Sequence, residues 1–170
     1  NHLLKKAISH FPNNTYFLGS LADCYAQLNQ LEQAIVLYNK VLASQPDDHK
    51  NRLSLGVALR RFGRPELALD QYLYLQAREV TSYQLFHNMA NAYSDLGDLP
   101  KAIDYYNRTL DLNSLYIEAH RNLNDLLWET NQTDKYLSSF RLSLQDNKND
   151  IKLNFAYIEE LLRVSMFIEA

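Results

Sequence analysis

The sequence contains a single cysteine, Cys24, among 170 residues. One thiol cannot form a disulfide within the chain, and it cannot supply the several thiolates of a structural zinc site. Glycine and proline are also scarce, with four of each, whereas average proteins contain roughly 7% glycine and 5% proline. A chain with so few turn-forming residues is expected to form long helices rather than a β-sandwich or a barrel.

Long apolar runs and an excess of positive charge are likewise missing. Polar residues interrupt the apolar stretches every few positions, so none approaches the ~20 apolar residues of a transmembrane helix. The formal net charge is −3, whereas nucleic-acid binding relies on a dense surface of lysine and arginine. We therefore expect a soluble protein, assigned by default to the cytoplasm, that neither inserts into membranes nor binds nucleic acid.

What the chain does contain is a pattern that recurs every 34 residues. One set of small residues has this spacing, namely Ala34, Ala68 and Ala102. A second set precedes the first by twelve residues, namely Ala22, Gly56 and Ala90. Self-similarity at a fixed period of about 20 to 50 residues is typical of repeat proteins, in which like units stack on one another.

Each repeat is predicted to form two helices. Its apolar residues recur three, four and seven positions apart in two successive segments, which places them on one face of a helix. Between the segments stands a residue that tolerates the left-handed conformation common at helix ends, namely Asn29, Gly63, Gly97 or Asn131. The predicted helix pairs are 15–28 with 32–45, 49–62 with 66–79, 83–96 with 100–113, and 117–130 with 134–147.

Residues suited to helix starts stand before these segments. Short polar side chains can accept a hydrogen bond from the first free backbone amides, and proline has no amide to leave unpaired there. The predicted caps are Asn14, Thr81 or Ser82, and Asn149 or Asp150 for first helices, and Asp98 or Thr133 for second helices, with Pro65 and Pro100 at or near second-helix starts.

In these residues the chain resembles the tetratricopeptide repeat family, whose repeat also has 34 residues and two helices. The fourth repeat departs from the family pattern, because Asn124 and Tyr136 stand where small residues are usual. Its helices are therefore not expected to pack closely. In the first full repeat, the eight signature positions hold Leu18, Leu21, Ala22, Tyr25, Ala34, Tyr38, Val41 and Pro46.

The resemblance implies an all-α fold, a right-handed superhelix of helix-turn-helix repeats in a single array over residues 1–170. Its expected parts are the second helix of a preceding repeat (1–14), four full repeats (15–48, 49–82, 83–116 and 117–150) and the start of a fifth (151–170).

The resemblance also implies a concave groove, lined by the first helices of successive repeats, that binds a partner protein or peptide. Trp128 is the strongest candidate contact, because aromatic and arginine residues dominate binding hot spots. Alternatively, Trp128 fills space beside the irregular fourth repeat. The densest basic cluster consists of Lys50, Arg60, Arg61 and Arg64. It contacts an acidic peptide, or else it forms a solvated face or pairs with charges four residues away on the same helix. The expected groove residues are Lys50, Arg60, Arg61, His87, Asn88, Asn91, Arg121, Asn122, Asp125, Trp128 and Lys152.

No pattern in the sequence indicates catalysis or a bound cofactor. The five histidines show no spacing that would place two metal ligands on one helical face. His120 takes a core-facing position and Cys24 a small-residue position, so both are expected to be buried. Neither a nucleophile elbow nor a glycine-rich phosphate loop occurs. We therefore expect no enzymatic activity, no metal and no cofactor in this region.

Three functions remain open at this point. The first is a binding scaffold that recruits a partner protein or peptide without any chemical step. The second is the repeat region of a larger enzyme, for example a bacterial transferase or oxygenase, in which the repeats position a separate catalytic domain. The third is self-assembly, end to end, through apolar faces of the terminal helices.

Overall fold

The computed structural model describes residue 6 and residues 9–168. Residues 15 to 168 contain α-helices and one short 3-10 turn, and no strand is found in the described part of the chain. The predicted all-α helical-repeat fold is confirmed. The helices are α1 (Thr15–Gln27), α2 (Leu31–Ser44), α3 (His49–Arg61), α4 (Pro65–Gln76), α5 (Tyr83–Asp95), α6 (Leu99–Leu112), α7 (Ile117–Glu129), α8 (Ser138–Asp146) and α9 (Ile151–Ile168).

The chain divides into two compact units, unit 1 (Asn1–Thr81) and unit 2 (Ser82–Ala170). In unit 1, α1 packs against α2 and α3 against α4, and α2 also packs against α3. The three small residues Ala22, Ala34 and Ala68 have no exposed surface, as their spacing predicts. The backbones of paired helices therefore approach closely at these positions, which buries the apolar face of each hairpin.

Unit 2 begins with the hairpin of α5 and α6, and α7 packs against α6. Ala90 and Ala102 are fully buried here too. A second apolar cluster closes the C-terminal part of the unit, where Phe140 of α8 and Leu153 of α9 have no exposed surface. The helices of unit 2 are thus joined by the same kind of contact, large apolar side chains packed around small ones.

Local side chains set most of the helix ends. Five side chains accept a hydrogen bond from a backbone amide three residues later, those of Asn14, Asp48, Ser82, Asp98 and Asp150. Four of these were predicted as caps, and Asp48 was not. The four predicted left-handed residues, Asn29, Gly63, Gly97 and Asn131, all have φ between 57° and 79°. Helix starts and stops are therefore encoded locally in this chain.

The second helix of the fourth repeat differs from its prediction. Instead of one helix over 134–147, a 3-10 turn (Thr133–Lys135) is followed by α8, which begins only at Ser138. The backbone of Leu137 is left-handed, with φ 62°. Its amide donates to Oδ1 of the fully buried Asn124, at 3.1 Å. Tyr136 is large and Asn124 is polar, and both stand in positions that small residues usually occupy. The first turn of the predicted helix is therefore replaced by a bent connection.

Other expectations need smaller corrections. Helix α4 ends at Gln76 rather than at 79, because Glu79 turns left-handed with φ 59°. Cys24 is half-buried rather than buried. Of the range 1–14, predicted as a second helix, residues 1–5, 7 and 8 lie outside the described residues, residues 6, 9 and 10 are helical, and residues 11–14 are not.

Gly56 provides a sharp test of the close packing in unit 1. A β-carbon at this position would lie 2.2 Å from Cε1 of Tyr72, a side chain with no exposed surface. We expect Gly56→Ala to lower the free energy of unfolding by about 1–3 kcal/mol through overpacking, although alanine favours helices by about 1 kcal/mol. Urea denaturation measures the difference.

The matched control is Gly63→Asn, because nothing lies within 4 Å of a β-carbon there and φ is +79°. Asn29 and Asn131 adopt the same left-handed conformation, so this change is expected to cost less than about 0.5 kcal/mol. A Gly56→Ala chain as stable as the control would show that α3 and α4 are not packed as described.

His120 is fully buried, as predicted, and both ring nitrogens have partners. Nε2 lies 2.9 Å from the carbonyl oxygen of Ser114, which can only accept, so Nε2 carries the proton. Nδ1 then accepts from the Ser139 hydroxyl at 2.9 Å, and the ring stacks on Phe140. Burial lowers the pKa of His120 below its usual value of 6.5, so the native chain holds this ring neutral.

This neutral histidine predicts a pH-dependent stability. Below about pH 6.5 the unfolded chain binds a proton that native His120 rejects, so the free energy of unfolding falls as the pH drops. His120→Gln should remove this component, because its amide can donate to Ser114 and accept from Ser139 without titrating. Urea denaturation of both chains between about pH 5 and 7.5 tests this, and identical pH profiles would refute it.

Candidate functional site

The residues predicted to line a groove lie on the first helices of their repeats. Lys50, Arg60 and Arg61 belong to α3 in unit 1. The other eight lie in unit 2, on α5 (His87, Asn88 and Asn91), α7 (Arg121, Asn122, Asp125 and Trp128) and α9 (Lys152). Unit 2 therefore contains most of the candidate surface.

A cavity of about 280 Å³ opens between α5 and α7 in unit 2. Asn122 donates from Nδ2 to Oδ1 of Asn91 at 3.1 Å, and the same nitrogen lies 3.3 Å from Nε2 of His87. The Tyr106 hydroxyl also donates to Asn91. These contacts fix the orientation of the amides at the cavity wall. The lining residues of this α5–α7 cavity are Asn91, Ser94, Asp95, Tyr106, Asn122, Asp125, Leu126 and Glu129.

A second cavity, of about 370 Å³, lies between α7 and α9. Its apolar lining includes Ile151 and Phe155, whose side chains are 83% and 63% exposed. Charged side chains of both signs flank them, and Lys152 is exposed. The α7–α9 cavity thus combines an apolar surface with charged walls. Its lining residues are Ile117, Glu118, Arg121, Ile151, Lys152, Phe155, Ala156 and Glu159.

Ion pairs join α7 to α9 beside this cavity. Arg121 binds Glu159, and Arg163 binds Asp125. Both guanidinium groups also lie within 3.7 Å of Glu160, a carboxylate that is almost completely buried. Arg121 and Asp125, both predicted as groove residues, therefore hold α9 in place in addition to lining a cavity.

The buried carboxylate has a further partner. The Tyr136 hydroxyl donates to Glu160 at 2.9 Å. Burial raises the pKa of Tyr136, and the hydrogen bond to Glu160 raises it further. The hydrogen bond from Arg163 to Asp125 likewise raises the pKa of Arg163. Tyr136 therefore stays neutral and Arg163 stays charged at neutral pH, as their hydrogen bonds require.

Trp128 stands at the end of α7 with 40% of its surface exposed. Its ring meets that of Tyr136 edge-on, with 5.9 Å between the centroids. Trp128 therefore packs on the irregular segment of the fourth repeat and also presents surface to solvent. Asn88, by contrast, donates to the carbonyl oxygen of Gln84 on its own helix.

Two of the basic residues predicted in unit 1 have intramolecular partners. Lys50 forms an ion pair with Asp23 at 3.4 Å. Arg61 donates to the carbonyl oxygen of Ala26 and to Asn29, where it caps the end of α1. Asp23 also accepts from the Tyr38 hydroxyl, and burial together with this bond raises the pKa of Tyr38. Lys50 and Arg61 of the predicted basic cluster are therefore held in separate structural contacts.

The ion pairs of the α7–α9 network were not predicted, and neither was Glu160, whereas Glu159 and Arg163 take groove-facing positions that the sequence predicts. A signal for two of the pairs exists in the sequence. Glu159 follows Arg121 by 38 residues, and Arg163 follows Asp125 by the same number. This separation is one repeat plus about one helical turn, so charges of opposite sign at this spacing meet across neighbouring first helices.

Comparison with known proteins identifies the family. Two sequence models described as "Tetratricopeptide repeat" match residues 1–59 and 83–114. The chain belongs to the tetratricopeptide repeat family.

Solved structures of the same fold cover most of the chain. MamA (residues 41 to the end) from Desulfovibrio magneticus RS-1 superposes with a TM-score of 0.76 at 20% identity, over 86% of this chain and 84% of that one. TTC0263 from Thermus thermophilus gives 0.71 at 22% identity, over 95% and 88%. YrrB, described as "a TPR protein with an unusual peptide-binding site", gives 0.68 at 18% identity, over 95% and 84%. These likenesses establish the fold.

A curated human protein also aligns with the chain. Protein O-mannosyl-transferase TMTC1 from Homo sapiens is 25% identical over 134 residues, which is 76% of this chain. The chain spans only 15% of the length of that protein.

Among the described residues, no helix has both the length and the apolar character that crossing a membrane requires. Nor do three or more of their histidine, cysteine and acidic side chains gather where they could hold a metal ion.

The network predicts unequal roles for two adjacent glutamates. Glu160→Ala removes the acceptor of the Tyr136 hydroxyl and a partner of two guanidinium groups, so the free energy of unfolding should fall by about 2 kcal/mol. The matched change Glu159→Ala breaks an exposed pair and should cost less than about 1 kcal/mol. Urea denaturation compares them, and equal losses would contradict the assignment of Glu160 as the centre of the network.

Proposed function

We propose that this chain is a non-catalytic scaffold whose repeats (15–48, 49–82, 83–116 and 117–150, with partial repeats at 1–14 and 151–170) bind a partner protein or peptide. One observation carries the proposal: five residues predicted from the sequence line two cavities between successive first helices of unit 2. They are Asn91, Asn122 and Asp125 in the α5–α7 cavity and Arg121 and Lys152 in the α7–α9 cavity.

The linings of the two cavities favour a particular kind of partner. Three carboxylates, those of Asp95, Asp125 and Glu129, line the α5–α7 cavity, and a basic residue of a partner would be attracted there. The α7–α9 cavity offers the apolar side chains of Ile151 and Phe155. We therefore expect the partner segment to present a basic side chain and an apolar one, a recognised way for a peptide to bind a helical surface.

The comparisons support this proposal without identifying a partner. YrrB shares the fold and is described as having a peptide-binding site. The cytoplasm remains the default location, and neither nucleic acid nor a membrane is proposed as a ligand.

Two other functions remain as alternatives. The alignment with protein O-mannosyl-transferase TMTC1 favours a repeat region within a larger enzyme, where the repeats would position a separate catalytic domain. The apolar side chains exposed along α9, among them Ile151, Phe155 and Leu162, favour self-assembly, in which a second copy covers this helix.

A peptide selection tests the scaffold proposal. Binders are selected from a random peptide library displayed on phage, and their affinity is measured by fluorescence polarisation. We expect Trp128→Ala and Asn122→Ala each to weaken binding about tenfold or more, as hot-spot truncations do.

The control is Leu142→Ala, which removes an exposed apolar side chain, 66% accessible, from the second helix α8 and should leave affinity unchanged. A selection that yields no binders, or binders that are insensitive to both first-helix changes, would refute the proposal. Sedimentation velocity of the chain without peptide shows whether it self-assembles, which would compete with peptide binding.

A further inference from the structure

A further cavity, of about 400 Å³, lies in unit 1. Helix α1 contributes its first two turns, and α3 contributes its own first turn together with the loop before it. The cavity is large enough for one amino-acid side chain. Its lining residues are Thr15, Tyr16, Gly19, Ser20, Gln45, Asp48, Lys50 and Asn51.

Gly19 leaves this space open. The same position of the repeat, 34 residues further each time, holds the larger residues Leu53, His87, Arg121 and Phe155. A β-carbon on Gly19 would lie 2.8 Å from Oδ1 of Asn51, closer than two such atoms approach. The absence of a side chain at this position therefore makes room for the Asn51 side chain beside α1.

Asn51 presents an acceptor that lacks a donor. The side chain is buried, with 8% of its surface exposed. Its Nδ2 donates to Asp48 at 2.7 Å, and its backbone amide donates to the other oxygen of Asp48. This carboxylate fixes the amide orientation, because the opposite one would bring two oxygens together. Oδ1 finds no hydrogen-bond partner among the described protein atoms, although buried polar groups normally have one.

The charges around the cavity disfavour the binding of both cations and anions. The Lys50 ammonium and the first turns of α1 and α3, which carry the positive ends of the helix dipoles, repel a cation. The Asp48 carboxylate and the Asn51 oxygen repel an anion. A neutral group that both donates and accepts hydrogen bonds suits the site better than either ion.

We propose that this cavity binds a neutral carboxamide, the side chain of a glutamine or asparagine in a partner protein. The amide N–H donates to Oδ1 of Asn51, and the amide oxygen accepts from Lys50 or from the hydroxyl of Thr15 or Ser20. The exposed ring of Tyr16, at the rim, covers the aliphatic stem. The identification of a partner protein as the source of the carboxamide rests on the function proposed above. The affinity of the cavity for a carboxamide is independent of that function.

Three small probes test the chemistry directly in the whole chain. They are the Nα-acetyl, N-methylamide derivatives of glutamine, glutamate and lysine, which share one main chain and differ only in the side chain. In ¹H–¹⁵N correlation spectra the glutamine probe should shift the Gly19 backbone amide and the Asn51 side-chain amide saturably. Its affinity should exceed that of the other two by about tenfold, the effect of one good hydrogen bond.

Two variants locate the site. Gly19→Ala should abolish the shifts by occupying the space beside Oδ1, and Asn51→Leu should do so by removing the acceptor. The control is Leu53→Ala, the corresponding position of α3, which should leave probe binding intact. If a variant fails to fold, the affinities of the three probes for the unaltered chain still test whether the cavity prefers a carboxamide.

The outcomes separate this inference from the function proposed above. Equal affinity for all three probes, or no shifts at Gly19 and Asn51 up to the solubility limit, overturns the carboxamide site. Trp128→Ala, in unit 2, should leave probe binding unchanged even where it weakens the selected peptides. If the glutamine probe binds but no peptide can be selected, the carboxamide site is supported and only the scaffold proposal is refuted.

Discussion

The close approach of paired helices at small residues is the constraint on which the rest of this structure depends. A helix presents only one apolar stripe, so the hairpins have little interior of their own and are stabilised by contact with their neighbours. That contact requires small side chains where backbones meet. Gly56 shows the limit, since Tyr72 occupies the place that a β-carbon would take. Ala22, Ala34, Ala68, Ala90 and Ala102, all fully buried, serve the same purpose.

The C-terminal part of unit 2 shows what replaces this packing where the pattern fails. Asn124 occupies a small-residue position, and its amide bonds to the backbone of Leu137 instead of allowing a second helix to begin. Helix α8 is correspondingly short. The last helix, α9, is then held by a small apolar cluster and by ion pairs around the buried Glu160. Such pairs depend on geometry and on complete hydrogen bonding, because a buried charge is costly when it loses its partner.

The sequence predicted those features that local chemistry determines. Helix ends at Asn29, Gly63, Gly97 and Asn131 require a left-handed residue, and side chains that cap first helices act only three residues away. Contacts between side chains of two different repeats were predicted less well. The pairing of Arg61 with the end of α1 joins positions 32 and 35 residues apart, and no residue pattern within one helix could indicate it.

The candidate surfaces follow from the same division between core and exposed positions. Small residues recur at fixed positions because packing leaves no alternative, whereas the groove-facing position of the first helix holds glycine, leucine, histidine, arginine and phenylalanine in turn. Packing between the two helices of a hairpin does not determine these residues, so they differ from repeat to repeat while the hairpins stay alike. Each produces its own local chemistry: an open space at Gly19, a hydrogen-bonded ring at His87, an ion pair at Arg121. The backbone thus repeats from unit to unit, whereas the side chains at the groove-facing positions do not. Any specificity for a partner must come from these side chains rather than from the fold.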